Sequence, residues 1–127
     1  MKIRINGDSL RLRVSRSEVE RLIRGHRVAE TVHFDAHEKA KLTYSLETAN
    51  QSSPISIRYE PQHVTVSFSD VQAVQWGQER EVGVYSTLVL NPSISLEVMI
   101  EKDFACLDRN AKENEDTFEN PRAGGTC

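Results

Sequence analysis

Lys2, Arg4, Arg11 and Arg13 alternate with Ile3, Ile5, Leu10, Leu12 and Val14 around an Asn6-Gly7 turn. Strand side chains change faces with a period of two, so a hairpin here puts four cations on one surface and the aliphatic residues on the other. Guanidinium groups hold phosphate or carboxylate through paired hydrogen bonds. Like charges facing each other across a strand pair repel, so this surface calls for neighbouring carboxylates, a bound anion or free hydration. Arg58, Glu97 and Glu101 sit on the polar side of later alternating segments and complete the candidate ligand-binding set. The plain alternative is a hydrated sheet face laced by cross-strand ion pairs.

Three further groups carry reactive types. His33, Asp35, His37 and Glu38 are borderline metal ligands on one polar stretch, with His63 as a distant fifth. Zinc sites draw their ligands from rigid elements and a second segment, so the stretch reads as a turn and no metal is assigned. Cys106 has Lys102 and Arg109 nearby but no local histidine, and Phe104, Ala105 and Leu107 around it make it a small buried hydrophobe. Glu113, Glu115, Asp116 and Glu119 form an acidic end that could fold back on the basic hairpin as an internal anion.

The elements that must position these groups follow from patterning. Ser15-x-x-Glu18 has capping-box spacing, and the spacing predicts a helix from Arg16 to about Arg24, closed by Gly25 and buried through Val19, Leu22 and Ile23. The period then turns to two over Val28–Phe34, Lys41–Glu47, Ile55–Glu60 and Val64–Phe68, with short connections that favour antiparallel neighbours and a meander. Asp70 is the expected cap of a second short helix, Val71 to about Trp76. Two long strands, Val82–Leu90 and Ile94–Lys102, finish the fold. No internal repeat is evident beyond strand alternation. The expected class is α+β: a twisted or curled antiparallel sheet of about seven to eight strands with two short helices. Residues 1–107 form the domain, and 108–127, which lose periodicity and apolar content, read as an acidic mobile tail that Phe118 alone could pin.

Charge is unevenly distributed. Residues 1–27 hold eight Lys/Arg against three Asp/Glu, a net +5 that leaves −8 on the remainder of a chain carrying −3 in total. The basic start therefore has acids of its own to pair with, and nucleic acid is not the expected partner. No apolar run is long enough for a membrane span and the N-terminus lacks a signal-peptide core, so a cytoplasmic address is expected. Two cysteines are too few for a disulfide scaffold.

The opening KIRINGDSLRLRVSRSEV and the later IEKDFACL, with Gly7 in the first turn and Cys106 after Phe104, resemble a family of small uncharacterised bacterial proteins of Bacteroidetes type. The resemblance spans nearly the whole domain and implies one intact unit, but it brings no activity, cofactor or partner. Triphosphate-processing tunnel enzymes also mix Arg, Lys and Glu inside a closed antiparallel barrel, yet their N-terminal Glu-x-Glu-x-Lys signature is replaced here by Lys2-Ile3-Arg4-Ile5. The expected function is a non-catalytic binding or interaction module that uses the charged sheet face and needs no cofactor. The competing reading is a phosphorylated-ligand binder or phosphohydrolase, and it requires Arg4, Arg11, Arg13, Glu97 and Glu101 to line a concave sheet.

Overall fold

The structure, a computed structural model, describes residues 1–78, 82–104 and 116–118. Its elements run β1 (Lys2–Ile5), β2 (Ser9–Val14), α1 (Arg16–Ile23), β3 (Val28–His33), β4 (Lys41–Ala49), β5 (Ile55–Glu60), β6 (His63–Ser69), α2 (Asp70–Gln78), β7 (Gly83–Asn91) and β8 (Ile94–Lys102). The class is α+β, with strand positions close to those that the two-residue period marks. The arrangement differs from the single antiparallel sheet expected. Eight strands divide into two four-stranded mixed sheets, ordered β1, β2, β8, β7 and β3, β4, β6, β5, and among the described residues no barrel closes.

Short loops do make antiparallel hairpins of β1 with β2, β3 with β4, β5 with β6 and β7 with β8. The meander fails between hairpins. In each sheet two hairpins meet through a parallel pairing of their second strands, β2 with β8 and β4 with β6. Loop length governs a hairpin but says nothing about which hairpin lies beside which, and burying four aliphatic stripes in one core decides that instead.

The fold is also a repeat that the sequence reading did not find. Moving the first hairpin by 54 positions, from Lys2 to Ser56 and from Arg13 to Ser67, reproduces the register of the second. The same displacement carries the Leu12/Ile100 pairing onto Val66 and Leu46. For β3 and β7 the displacement is 56, because Val28 faces Leu46 where Val84 faces Ile100. Two ββαββ units therefore interlock, each lending its last strand to the other's first hairpin.

Both helices start after a serine. Ser15 Oγ accepts from Glu18 N at 3.4 Å while Glu18 Oε1 accepts from Ser15 N at 2.9 Å, which completes the expected capping box. Gly25, at φ +85°, closes α1 with His26 N donating to Arg21 O and Gly25 N to Leu22 O. This is a Schellman end, and only a residue without Cβ takes that φ cheaply. At α2 the cap is Ser69, whose Oγ accepts from Gln72 N at 3.5 Å, and not Asp70. Asp70 begins the helix and its carboxylate accepts from Val71 N, so the serine one step earlier holds the capping position.

The apolar faces of both sheets and the inner stripes of both helices share one core, with Leu12, Val14, Leu22, Leu46, Val66, Phe68, Trp76 and Ile100 fully enclosed. Phe68 and Trp76 meet edge to face at 5.7 Å. Val32, near the end of β3, and Phe34, just beyond it, are exposed although they continue the apolar alternation. No described helix is long and apolar enough to cross a membrane.

Asp116–Phe118 are held against the domain. Phe118 N donates to Asp103 O at 2.8 Å, and the Phe118 ring meets Phe104 edge to face at 5.9 Å beneath the cations of Arg16 and Lys102. Cys106, Glu113, Glu115 and Glu119, with the rest of the expected tail, lie outside the described residues.

Candidate functional site

The outward face of the sheet containing β1, β2, β8 and β7 carries six of the seven residues singled out by their chemistry. Registry arranges that face in rows. Arg4 lies opposite Arg11, Arg11 beside Met99, and Met99 opposite Tyr85. One step along the strands, Lys2, Arg13, Glu101 and Gly83 make a second row. On the other side Ser9, Glu97 and Thr87 make a third. Arg58 belongs elsewhere, on the polar face of the other sheet.

Acids neutralise part of this surface. Arg11 Nε stands 2.8 Å from Glu101 Oε1 with side-chain exposures of 27% and 15%, and Glu101 Oε2 accepts the Tyr85 hydroxyl at 3.0 Å. Burial, then the hydrogen bond to Glu101 and its charge, push the Tyr85 phenol up, with Arg11 opposing. Lys2 Nζ meets Asp103 Oδ2 at 2.9 Å. Among the described residues Arg4, Arg13 and Glu97 have no ion-pair partner.

Two hollows flank Met99. One, of about 120 Å³, is lined by Arg4, Asn6, Ser9, Arg11 and Met99. The other, of about 350 Å³, is bordered by Tyr85, Ser86, Thr87, Glu97, Val98 and Met99. Glu97 N donates to Asp8 O at 2.9 Å, which ties the first turn to β8. The sequence reading missed Asn6, Ser9, Met99 and Tyr85. Met99 and Tyr85 occupy the polar side of alternating strands, and that misplacement of apolar types was the available signal.

The opposite sheet gives an internal comparison. Its polar face centres on Ser45 and Thr65, both buried, with Ser45 Oγ 2.7 Å and Thr65 Oγ1 3.4 Å from His63 Nε2. Glu47 accepts from Arg27 Nη2 at 3.0 Å and Ser67 Oγ at 3.1 Å, with Arg58 Nη2 3.9 Å away. Burial raises the Glu47 carboxyl, but the bonds from Arg27 and Ser67 and the charges of Arg27 and Arg58 outweigh it, so the group is lowered. Arg58 also pairs with Glu60 at 3.2 Å. By the 54-residue displacement Arg58 is the counterpart of Arg4, Glu60 of Asn6 and Glu47 of Glu101. The same arginine position is thus neutralised by two carboxylates in one sheet and by none in the other.

His63 is engaged with the two hydroxyls, and His37 Nδ1 accepts from Lys39 N at 3.1 Å. No group of three or more His, Cys, Asp or Glu is placed to hold a metal ion among the described residues. Asp116, read from the sequence as part of a mobile acidic tail that could fold back on the basic hairpin, instead sits at the N-terminus of α1: its carboxylate accepts from Ser17 N and Ser17 Oγ. A helix N-terminus presents unpaired N–H groups, which this carboxylate helps to satisfy.

Fold and surface together define an α+β domain of two interlocked ββαββ units with one open, incompletely neutralised cationic sheet face. The chain belongs to the family described as "Family of unknown function (DUF7009)", which it matches over residues 1–122. No curated protein and no solved structure matches it.

Proposed function

We propose that the protein is a non-catalytic binding module that holds an anionic group, phosphate or carboxylate, on the outward face of the sheet containing β1, β2, β8 and β7. The observation that carries this reading is Arg4, which lies directly opposite Arg11 and lacks an ion-pair partner among the described residues. Facing cations destabilise a sheet, and the counterpart position in the other sheet shows the fold supplying Glu47 and Glu60 for the same residue. Asn6 and Ser9 add hydrogen-bonding groups around the same hollow. The face is open, which favours binding over a reaction that needs an enclosed, water-excluding site. The setting we propose is a bacterial cytoplasm, supported by the resemblance of both chain ends to small bacterial proteins.

Calorimetric titration with inorganic phosphate and ethyl phosphate at low ionic strength tests the reading. Binding is expected in the wild type, weakened at least about threefold by Arg4→Ala, and unchanged by Arg58→Ala. Equal affinity in the Arg4→Ala variant, or no binding in the wild type, overturns it. Release of phosphate from ethyl phosphate would move the protein to the phosphohydrolase class.

A further inference from the structure

We propose that the ligand is dipolar, with an anionic end at Arg4 and Arg11 and an ammonium end at Glu97 and Tyr85, lying across Met99; this rests on the anion-binding reading above. The two unpaired charges that flank Met99 have opposite sign. Arg4 lines the hollow on one side and Glu97 the hollow on the other, and neither has an ion-pair partner among the described residues. Glu101 is already committed to Arg11 and Tyr85, and Asp103 to Lys2, so Glu97 is the carboxylate on this face open to an incoming cation.

The second hollow suits an ammonium group in other ways. Tyr85 is 53% exposed and anchored through its hydroxyl on Glu101, so it offers an aromatic surface to a cation. Thr87 supplies a hydroxyl on the same border, able to accept a hydrogen bond from an N–H group. Met99 is a half-buried, polarisable floor between the two ends, with its sulfur 3.7 Å from Arg11 Nη2.

Registry sets the ligand's size. Strands lie about 4.8 Å apart and same-face residues about 6.7 Å apart along a strand. Glu97 is one strand and one step from Arg11, and two strands and one step from Arg4. The corresponding Cα separations are about 8 Å and about 12 Å, and side chains leaning over Met99 shorten the gap to about 4–8 Å between ligand charges. A phosphate monoester or carboxylate with a primary or quaternary amine a few bonds away meets this. A polyphosphate does not, because Glu97 repels its second charge.

O-phosphoethanolamine and ethyl phosphate share the phosphate ester and differ in the ammonium, which makes them the probes. Calorimetry at low ionic strength is expected to show phosphoethanolamine binding about three- to fivefold more tightly than ethyl phosphate to the wild type. Glu97→Gln should abolish that preference without weakening ethyl phosphate binding, while Arg4→Ala weakens both. Equal affinities in the wild type, or a preference that survives in Glu97→Gln, overturn the dipolar ligand while Arg4-dependent ethyl phosphate binding leaves the anion site standing. Failure of both probes to bind overturns the two readings together. Unchanged thermal unfolding of Glu97→Gln, an exposed position, verifies that the fold is intact.

Discussion

Gly83 sits where the cationic face and the sheet's backbone meet, and Gly83→Ala is the most sharply determined perturbation the structure offers. A Cβ there would stand 2.5 Å from the Ile100 carbonyl oxygen and 3.0 Å from both Glu101 Cγ and the Tyr85 hydroxyl. The two side-chain atoms can swing aside. The carbonyl cannot, because β8 is fixed between β2 and β7. To restore an ordinary carbon–oxygen contact β7 must retreat by most of an ångström, which strains the Gly83/Glu101 rung and pulls Tyr85 off Glu101. Overpacking costs about 1–3 kcal/mol, and replacing glycine offsets about 0.4–1 kcal/mol of that through the unfolded chain. A net loss of about 1–2 kcal/mol follows. Trp76 is the sole tryptophan and fully buried, so its fluorescence in urea reports the transition directly. Gly77→Ala is the matched control: its Cβ meets the end of the Ile23 side chain, which is partly exposed and free to rotate. A helical glycine gains up to about 1 kcal/mol on becoming alanine, so this variant should be neutral or stabilised. A Gly83→Ala protein as stable as wild type, or one less perturbed than Gly77→Ala, would refute the close approach of β7 to Ile100.

Arg11→Ala should cost about 1–3 kcal/mol in urea unfolding, because the partly buried Glu101 is left without its cation, whereas Arg4→Ala should stay within about 0.5 kcal/mol of wild type. Glu47 is held below its ordinary pKa, so its contribution is present above the unfolded-state value and lost as pH falls through the folded one. Glu47→Gln should therefore lower the urea midpoint at neutral pH by the equivalent of about 0.5–1 kcal/mol, with the two proteins converging in acid; a constant gap down to pH 3 would contradict that. Phe118→Ala removes the ring that Phe104 meets and that Arg16 and Lys102 cover, and should cost about 1–2 kcal/mol. Limited proteolysis should then cut near residue 116 well before the core, and an unchanged digestion pattern would count against the docking of this segment.

Local pattern carried much of the fold. The alternation Ile94, Leu96, Val98, Ile100 marks β8 to its last residue, and Ser15 with Glu18 marks the start of α1, because period and capping are properties of neighbouring residues. Sheet membership was not legible, since Ser9 and Glu97 become neighbours only after both hairpins bury their stripes together. The duplication escaped notice for a related reason. Counterparts such as Leu12 and Val66, or Val14 and Phe68, conserve burial and not identity. Ile3-Arg4 with Ile57-Arg58, Ser15 with Ser69, Leu42 with Leu96 and Glu47 with Glu101 are among the few identities at the 54-residue displacement. The cationic face was foreseen in its charges. Its hollows were not, because they depend on Met99 and Tyr85 meeting across β7 and β8.

The interlocking of the two halves sets a schedule for the chain as it leaves the ribosome. Ser9 emerges 88 residues ahead of Glu97, its neighbour on the inner side of the sheet. At about 5–20 residues per second that wait is roughly 4–18 s. Throughout it, β2 has β1 as its only sheet partner, and the open edge that β8 later covers stays available to other strands. The cations along β1 and β2 are then also a guard for the nascent chain: a second copy approaching that edge meets like charge, until the carboxylates of β8 arrive and close the sheet.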